Sequence, residues 1–247
     1  ENKVDEDKLF STAEGFQEAL AGVYSQMAGK SMYGQALTME YVDLMGQYYS
    51  YNSVGTAYTY FKDFDYTNSG VKSTIASFWN NLYNCIASAN NILNWADKNK
   101  SVLGETNRNQ VRGEALALRA FLHFDLLRMY GPIYKENPGA KRIAYRTEFT
   151  KDAQSMQSSN VVVDSIIADL KKAEVLLTNT DPLRFDFPIT TLEESNMEGD
   201  RFLVYRHKRM NLYAVKAMLA RVYLYAGNQE EAAKYANEVI DSDLFEL

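Results

Sequence analysis

Five tyrosines crowd one stretch of this chain: Tyr48, Tyr49, Tyr51, Tyr58 and Tyr60. They sit among Gly46, Asn52, Gly55, Asp63 and Asn68, and no helical period runs through them. A tyrosine ring offers a flat apolar face and a polar tip. The neighbouring amides and carboxylates add donors and acceptors. That mixture suits a saccharide, whose C–H faces lie on rings and whose hydroxyls need hydrogen-bond partners. These five tyrosines are the candidate ligand-binding residues. The competing use of such rings is simply to pack a loop onto helices.

Other chemistries find less support. Glu40 and Asp43 stand three apart, so they share one helix face and form a solvated surface. Hydrolysis of a glycosidic bond needs two carboxylates facing each other across it. Asp125 and Arg128 have the same spacing and suit an ion pair. The two histidines, His123 and His207, stand alone. There is no HExxH pair, no phosphate-cradling glycine loop and no Gly-x-Ser-x-Gly elbow. The expectation is therefore a binding protein and not an enzyme, with no cofactor and no metal.

Composition narrows the partners. The 247 residues are 46% hydrophobic, enough for a sizeable core. A net charge of −6 without a long basic run disfavours nucleic acid. Its nearest basic cluster, Arg206 to Arg209, is short and opens a helix. One cysteine, Cys85, sits in an apolar run and reads as a small core residue. No stretch reaches the roughly 18 apolar residues of a membrane-spanning helix.

Helical periodicity then supplies the scaffold. Apolar residues recur at helical spacing over 11–28, 74–97, 108–130, 160–177, 209–226 and 229–241, with a short helix over 39–45. Ser11 with Glu14 suggests a capping box. Gly131-Pro132 stops the 108–130 helix. Trp79 falls inside an apolar helix and is expected to pack, whereas Trp95 lies nearer a helix end. Residues 46–72 and 131–159 read as long inserted loops. Asn228 can cap the last helix, with Glu231 at its third position.

The final hairpin alternates small and aromatic residues: Ala217, Ala220, Tyr223, Gly227, then Ala232, Tyr235 and Ala236. This resembles the tetratricopeptide pattern, in which small residues let paired helices approach. It lacks the opening Trp and the closing Pro. Leu118-Arg119-Ala120-Phe121-Leu122 echoes Ala220-Arg221-Val222-Tyr223-Leu224. The 108–130 helix is thus expected to pair with 160–177, as 209–226 pairs with 229–241. The fold class is all-α: tetratricopeptide-like helical hairpins with long inserted loops.

A family resemblance rests on the same helices. Gly113-Glu114-Ala115, Leu118-Arg119-Ala120-Phe121, His123-Phe124-Asp125-Leu126 and Arg128-Met129-Tyr130-Gly131-Pro132 resemble the signature helix of SusD/RagB-type proteins. Phe78-Trp79, Tyr83, Ile86, Ala89-Asn90 and Ile92-Leu93 resemble the preceding helix of that family. Glu14-Gly15, Ala19-Leu20 and Gly22-Val23-Tyr24 resemble its first. Ile166, Asp169-Leu170, Ala173 and the final hairpin follow in the same order.

The resemblance implies a nutrient-binding lipoprotein on the outer face of the outer membrane. It implies that the protein captures oligosaccharide for a SusC-like TonB-dependent transporter, within polysaccharide utilization. The helices would form the scaffold and the loops the sugar site. Contact with the membrane would come only through a lipid anchor absent from this chain. The family is longer, so residues 1–247 are expected to be a single N-terminal helical-repeat domain truncated from a larger protein. The alternative is a tetratricopeptide-type scaffold that binds a protein or peptide.

Overall fold

The structure is a computed structural model, and it describes residues 5–48, 56–181, 202 and 206–245. It is all-α apart from one small antiparallel ribbon. The helices are α1 (Glu6–Leu9), α2 (Ala13–Met27), α3 (Tyr41–Met45), α4 (Ala57–Lys62), α5 (Ser69–Lys98), α6 (Lys100–Tyr130), α7 (Ser159–Thr178), α8 (Leu212–Ala226) and α9 (Gln229–Ile240). The strands are β1 (Lys141–Ile143) and β2 (Gln157–Ser158), paired antiparallel. Two compact units result: Glu1–Leu20 with Ile86–Leu247, and Ala21–Cys85.

In the larger unit α6 packs along α7 and α8 along α9, with α7 also against α8. These are the expected tetratricopeptide-like hairpins. Leu118 and Leu122 of α6 and Ile166 and Leu170 of α7 are completely buried. One glycine permits the close approach. A Cβ on Gly113 would lie 2.6 Å from Leu177 Cγ, nearer than real Cβ atoms come. Gly113→Ala should therefore cost about 1–3 kcal/mol by overpacking. A lowered urea midpoint with an unchanged m-value would show this.

The ends of the elements follow local chemistry. Gly227 adopts the left-handed conformation, φ 84°, and closes α8. The Asn228 side chain accepts from Glu231 N–H and starts α9, as its position suggests. The cap of α2 differs from expectation. Thr12 Oγ1 accepts from Gly15 N–H at 3.1 Å, whereas Ser11 donates back to the Lys8 carbonyl. The helix begins at Ala13, which makes Thr12 the capping residue and leaves Glu14 one position too early for a box. At 39–45 the short helix is split. A π-helical turn over Ala36–Glu40 carries Met39 at φ −133°, and α3 starts only at Tyr41.

The 46–72 stretch holds more helix than its sequence suggests. The six residues of α4 are too few to display a period, and α5 already begins at Ser69. The 131–159 stretch contains the β-ribbon, and it buries Ile143 and Tyr145.

A buried polar network holds residues 145–148 of that stretch in place. Arg119 on α6 forms two hydrogen bonds to the Asp169 carboxylate of α7, at 2.7 and 2.8 Å. Its remaining nitrogen, Nη1, donates to Asn90 Oδ1 and to the Thr147 carbonyl. Asn90 of α5 donates to the carbonyls of Arg146 and Glu148. Tyr145 donates its hydroxyl to Asp169 and stacks on His123, with ring centroids 4.0 Å apart. Burial, then the Asp169 charge, push the Tyr145 hydroxyl well above its ordinary value. Burial alone would lower Arg119. The hydrogen bonds and charge of Asp169 outweigh it and hold the guanidinium above its usual value.

A second buried cluster joins the 206–209 basic run to α6. Arg206 is 1% exposed and pairs with Glu114 and Asp181. Asp181 also accepts from Leu212 N–H at 2.9 Å. Arg206–Lys208 forms one 3-10 turn ahead of α8. Arg206 thus belongs to the interior and contributes nothing to a basic surface.

Candidate saccharide-binding surface of the tyrosine segment

In the Ala21–Cys85 unit, an aromatic core anchors the tyrosine segment. Tyr41 of α3 lies 4.5 Å from Phe61, 5.7 Å from Tyr58 and 5.8 Å from Phe78, between ring centroids. Phe61 and Phe78 are buried. The Tyr58 hydroxyl donates to the Glu40 carboxylate. Burial, then the Glu40 charge, raise the Tyr41 hydroxyl above its usual value.

The candidate tyrosines therefore divide. Tyr58 packs on the core and is tied to Glu40, which is the packing role. Tyr60 on α4 is half-buried. Tyr48 is 81% exposed, with its ring over Gly46, where an added Cβ would lie 2.8 Å from the ring edge. Tyr49 and Tyr51 lie outside the described residues, as does Asn52.

Two rings that the segment contains, but that were not among the candidates, are also exposed. Phe64 is 47% and Tyr66 50% exposed, with centroids 6.4 Å apart. Gln47 ties the chain beside Tyr48 to the end of α4. Its side chain donates to the Lys62 carbonyl at 2.9 Å, across fifteen positions. Asp63 and Asp65 alternate with Phe64 and Tyr66 along the chain. Asp65 accepts from the hydroxyl and the N–H of Thr67, and these hydrogen bonds hold its carboxyl below the usual range. The sequence signal for Phe64 and Tyr66 was their place at the exit of a short helix, where residues turn outward. It is visible only once α4 is known.

The segment thus offers three exposed rings, Tyr48, Phe64 and Tyr66, with two carboxylates adjacent in sequence. Among the described residues, no group of three or more His, Cys, Asp or Glu side chains could hold a metal ion. Cys85 is buried, where loss of solvent pushes its thiol up to about 12, and its sulfur meets that of Met32 at 3.9 Å. Glu40 and Asp43 do not form the solvated helix face expected of them: Glu40 ends the π-helical turn and accepts from the Tyr58 hydroxyl, whereas Asp43 lies on α3.

A SusD-like family model, described as "Starch-binding associating with outer membrane", matches residues 1–185. The chain belongs to the SusD-like family. It is 26% identical over 242 residues to SusD-like protein P2 of Formosa agariphila, covering 96% of this chain and 41% of that one. Among solved structures it is similar to a SusD-like carbohydrate binding protein from Bacteroides vulgatus. The TM-score is 0.73 at 23% identity, over 96% of this chain and 46% of that one. A structure described as a laminarin binding SusD-like protein gives a TM-score of 0.60 at 20% identity, covering 92% and 42%. The chain spans less than half the length of these relatives. The all-α fold expected from the resemblance is the fold observed. No helix among the described residues is long and apolar enough to cross a membrane.

Proposed function

We propose that this SusD-like chain belongs to a cell-surface protein that binds oligosaccharide and delivers it to a SusC-like TonB-dependent transporter of the outer membrane. The observation that carries the reading is family membership over residues 1–185, in a family described as starch-binding and associated with the outer membrane. The exposed rings of Tyr48, Phe64 and Tyr66 support it, as does the mixture of apolar faces and carboxylates beside them. A lipid anchor and a C-terminal remainder belong to the same proposal. So does the assignment of Tyr49, Tyr51 and Tyr60 as further ligand contacts, with Tyr58 positioning the segment through Glu40. The protein binds its saccharide and does not cleave it.

Isothermal titration of maltoheptaose and of soluble laminarin into the 247-residue chain tests the reading. Binding is expected to be weak and nearly insensitive to salt, because stacking and neutral hydrogen bonds carry it. Tyr48→Ala should weaken it about tenfold and leave the melting temperature unchanged, since the ring is exposed. Release of shorter sugars during the titration would overturn the binding-only role. Binding of short peptides with no response to any glucan would overturn the saccharide claim.

A further inference from the structure

The larger unit contains a cleft of about 480 Å3 that the tyrosine segment does not contribute to. Its walls are α5, α6, α7 and residues 147–150. We infer that this cleft is a second saccharide subsite, taking a neutral sugar segment between Asn94, Glu148, Phe149 and Lys172. The inference rests on the saccharide-binding reading above but on different residues.

The size falls within the range of small-molecule sites, roughly 300–1,000 Å3. The lining has the donors and acceptors a polyol requires. Asn94 supplies an amide, Asp97 and Glu148 supply carboxylates, and Arg112, Arg119 and Lys172 supply cations. Arg112 already touches Asp97 at 3.4 Å. The side chains of Asn94, Glu148 and Lys172 make no hydrogen bond or ion pair among the described residues. Phe149 is 47% exposed and presents its ring at the same cleft.

Charge decides the ligand class. Three cations and two carboxylates line the cleft, but Asp169 neutralises Arg119, which leaves Arg112 and Lys172 against Asp97 and Glu148, so an anionic or cationic ligand meets a repelling group for each attracting one. A sugar hydroxyl both donates and accepts, and uses both signs at once. The aromatic face then serves the C–H side of the ring.

The outer wall is preorganised. Arg119 holds the Thr147 carbonyl, and Asn90 holds those of Arg146 and Glu148. His123 Nε2 accepts from Arg146 N–H at 2.9 Å, and Arg146 itself donates to the Thr150 carbonyl. Buried side chains of two helices thus fix a short exposed stretch whose own side chains, Glu148 and Phe149, remain unpartnered. Fixing the wall in advance lowers the ordering cost of binding.

The test is a titration of the isotope-labelled 247-residue chain with maltoheptaose and with laminarihexaose, followed by NMR and calorimetry. The Asn94 side-chain amide should shift saturably. Phe149→Ala and Glu148→Gln, both on exposed side chains, should each weaken that response about tenfold and leave the melting temperature unchanged. Tyr48→Ala should leave the Asn94 response as it is. If both sugars bind with Asn94 unmoved, and the cleft variants match the wild type, the cleft proposal falls and the proposed function stands. If neither sugar binds anywhere, both fall.

Discussion

Alanine at position 119 is expected to remove about 3–5 kcal/mol of stability, because it strands the buried carboxylate of Asp169. The side chains of Arg119 and Asp169 are 8% and 5% exposed, and the pair is bidentate. The loss spreads further than one pair. Asn90 Oδ1 and the Thr147 carbonyl lose their donor in the same step. Comparison with a surface pair fixes the scale. Lys234 and Glu231 meet at 3.6 Å, but their side chains are 54% and 32% exposed. Exposed pairs of that kind contribute about 0–1 kcal/mol, so Lys234→Ala should be nearly silent. Urea denaturation separates the two variants. A double replacement, Arg119→Met with Asp169→Leu, should recover part of the loss by removing both charges together. If Arg119→Ala costs no more than Lys234→Ala, the network does not hold the fold as described.

The same contrast explains what could be read from the sequence. Helices α5 to α9 were legible because burial of one face imposes a 3.6-residue period on their side chains. The hairpin ends were legible too, since Gly227 and Asn228 are the residue types that the turn requires. The buried networks left no such trace. Arg119 and Asp169 are 50 positions apart, and Arg206 and Glu114 are 92 apart. Nothing local distinguishes such residues from solvated charges on a helix face. The family resemblance marked Gly113, Glu114 and Arg119 without saying why. Gly113 admits Leu177, Glu114 meets Arg206, and Arg119 meets Asp169.

The candidate site was legible in part for a related reason. Crowded tyrosines announced an aromatic surface, but not which rings turn outward. That depends on a six-residue helix and on Gln47 reaching Lys62. Tyr58 went inward because Glu40 was there to accept its hydroxyl. Phe64 and Tyr66 went outward at the helix exit. The cleft residues Asn94, Glu148 and Phe149 come from two stretches that Asn90 and Arg119 join, so composition could not group them.

His123 should make stability fall between pH 6.5 and 5 by about 2 kcal/mol. The ring is fully buried, and both nitrogens are engaged. Nδ1 lies 2.8 Å from the Arg119 carbonyl, which can only accept, so Nδ1 carries the proton. Nε2 accepts from Arg146 N–H and must stay bare. A second proton would set one N–H against another. Burial, aided by the charges of Arg119 and Arg146, outweighs the hydrogen bonds to the Arg119 and Ala144 carbonyls and brings the imidazole from 6.5 down to about 3. The unfolded chain therefore binds a proton that the native state refuses, throughout the window from 6.5 to about 3. The stabilising contribution is complete above 6.5 and lost progressively as pH falls through that window. His123→Gln removes this titration. It leaves buried partners imperfectly satisfied and should cost about 1–3 kcal/mol at neutral pH. Its stability should nevertheless change with pH less steeply than the wild type's, by about one proton. Urea midpoints at pH 7, 6 and 5 measure both. Parallel curves for the two proteins would mean that His123 is protonated in the native state. The Nδ1 and Nε2 contacts that clamp residues 145–148 would then be wrongly assigned.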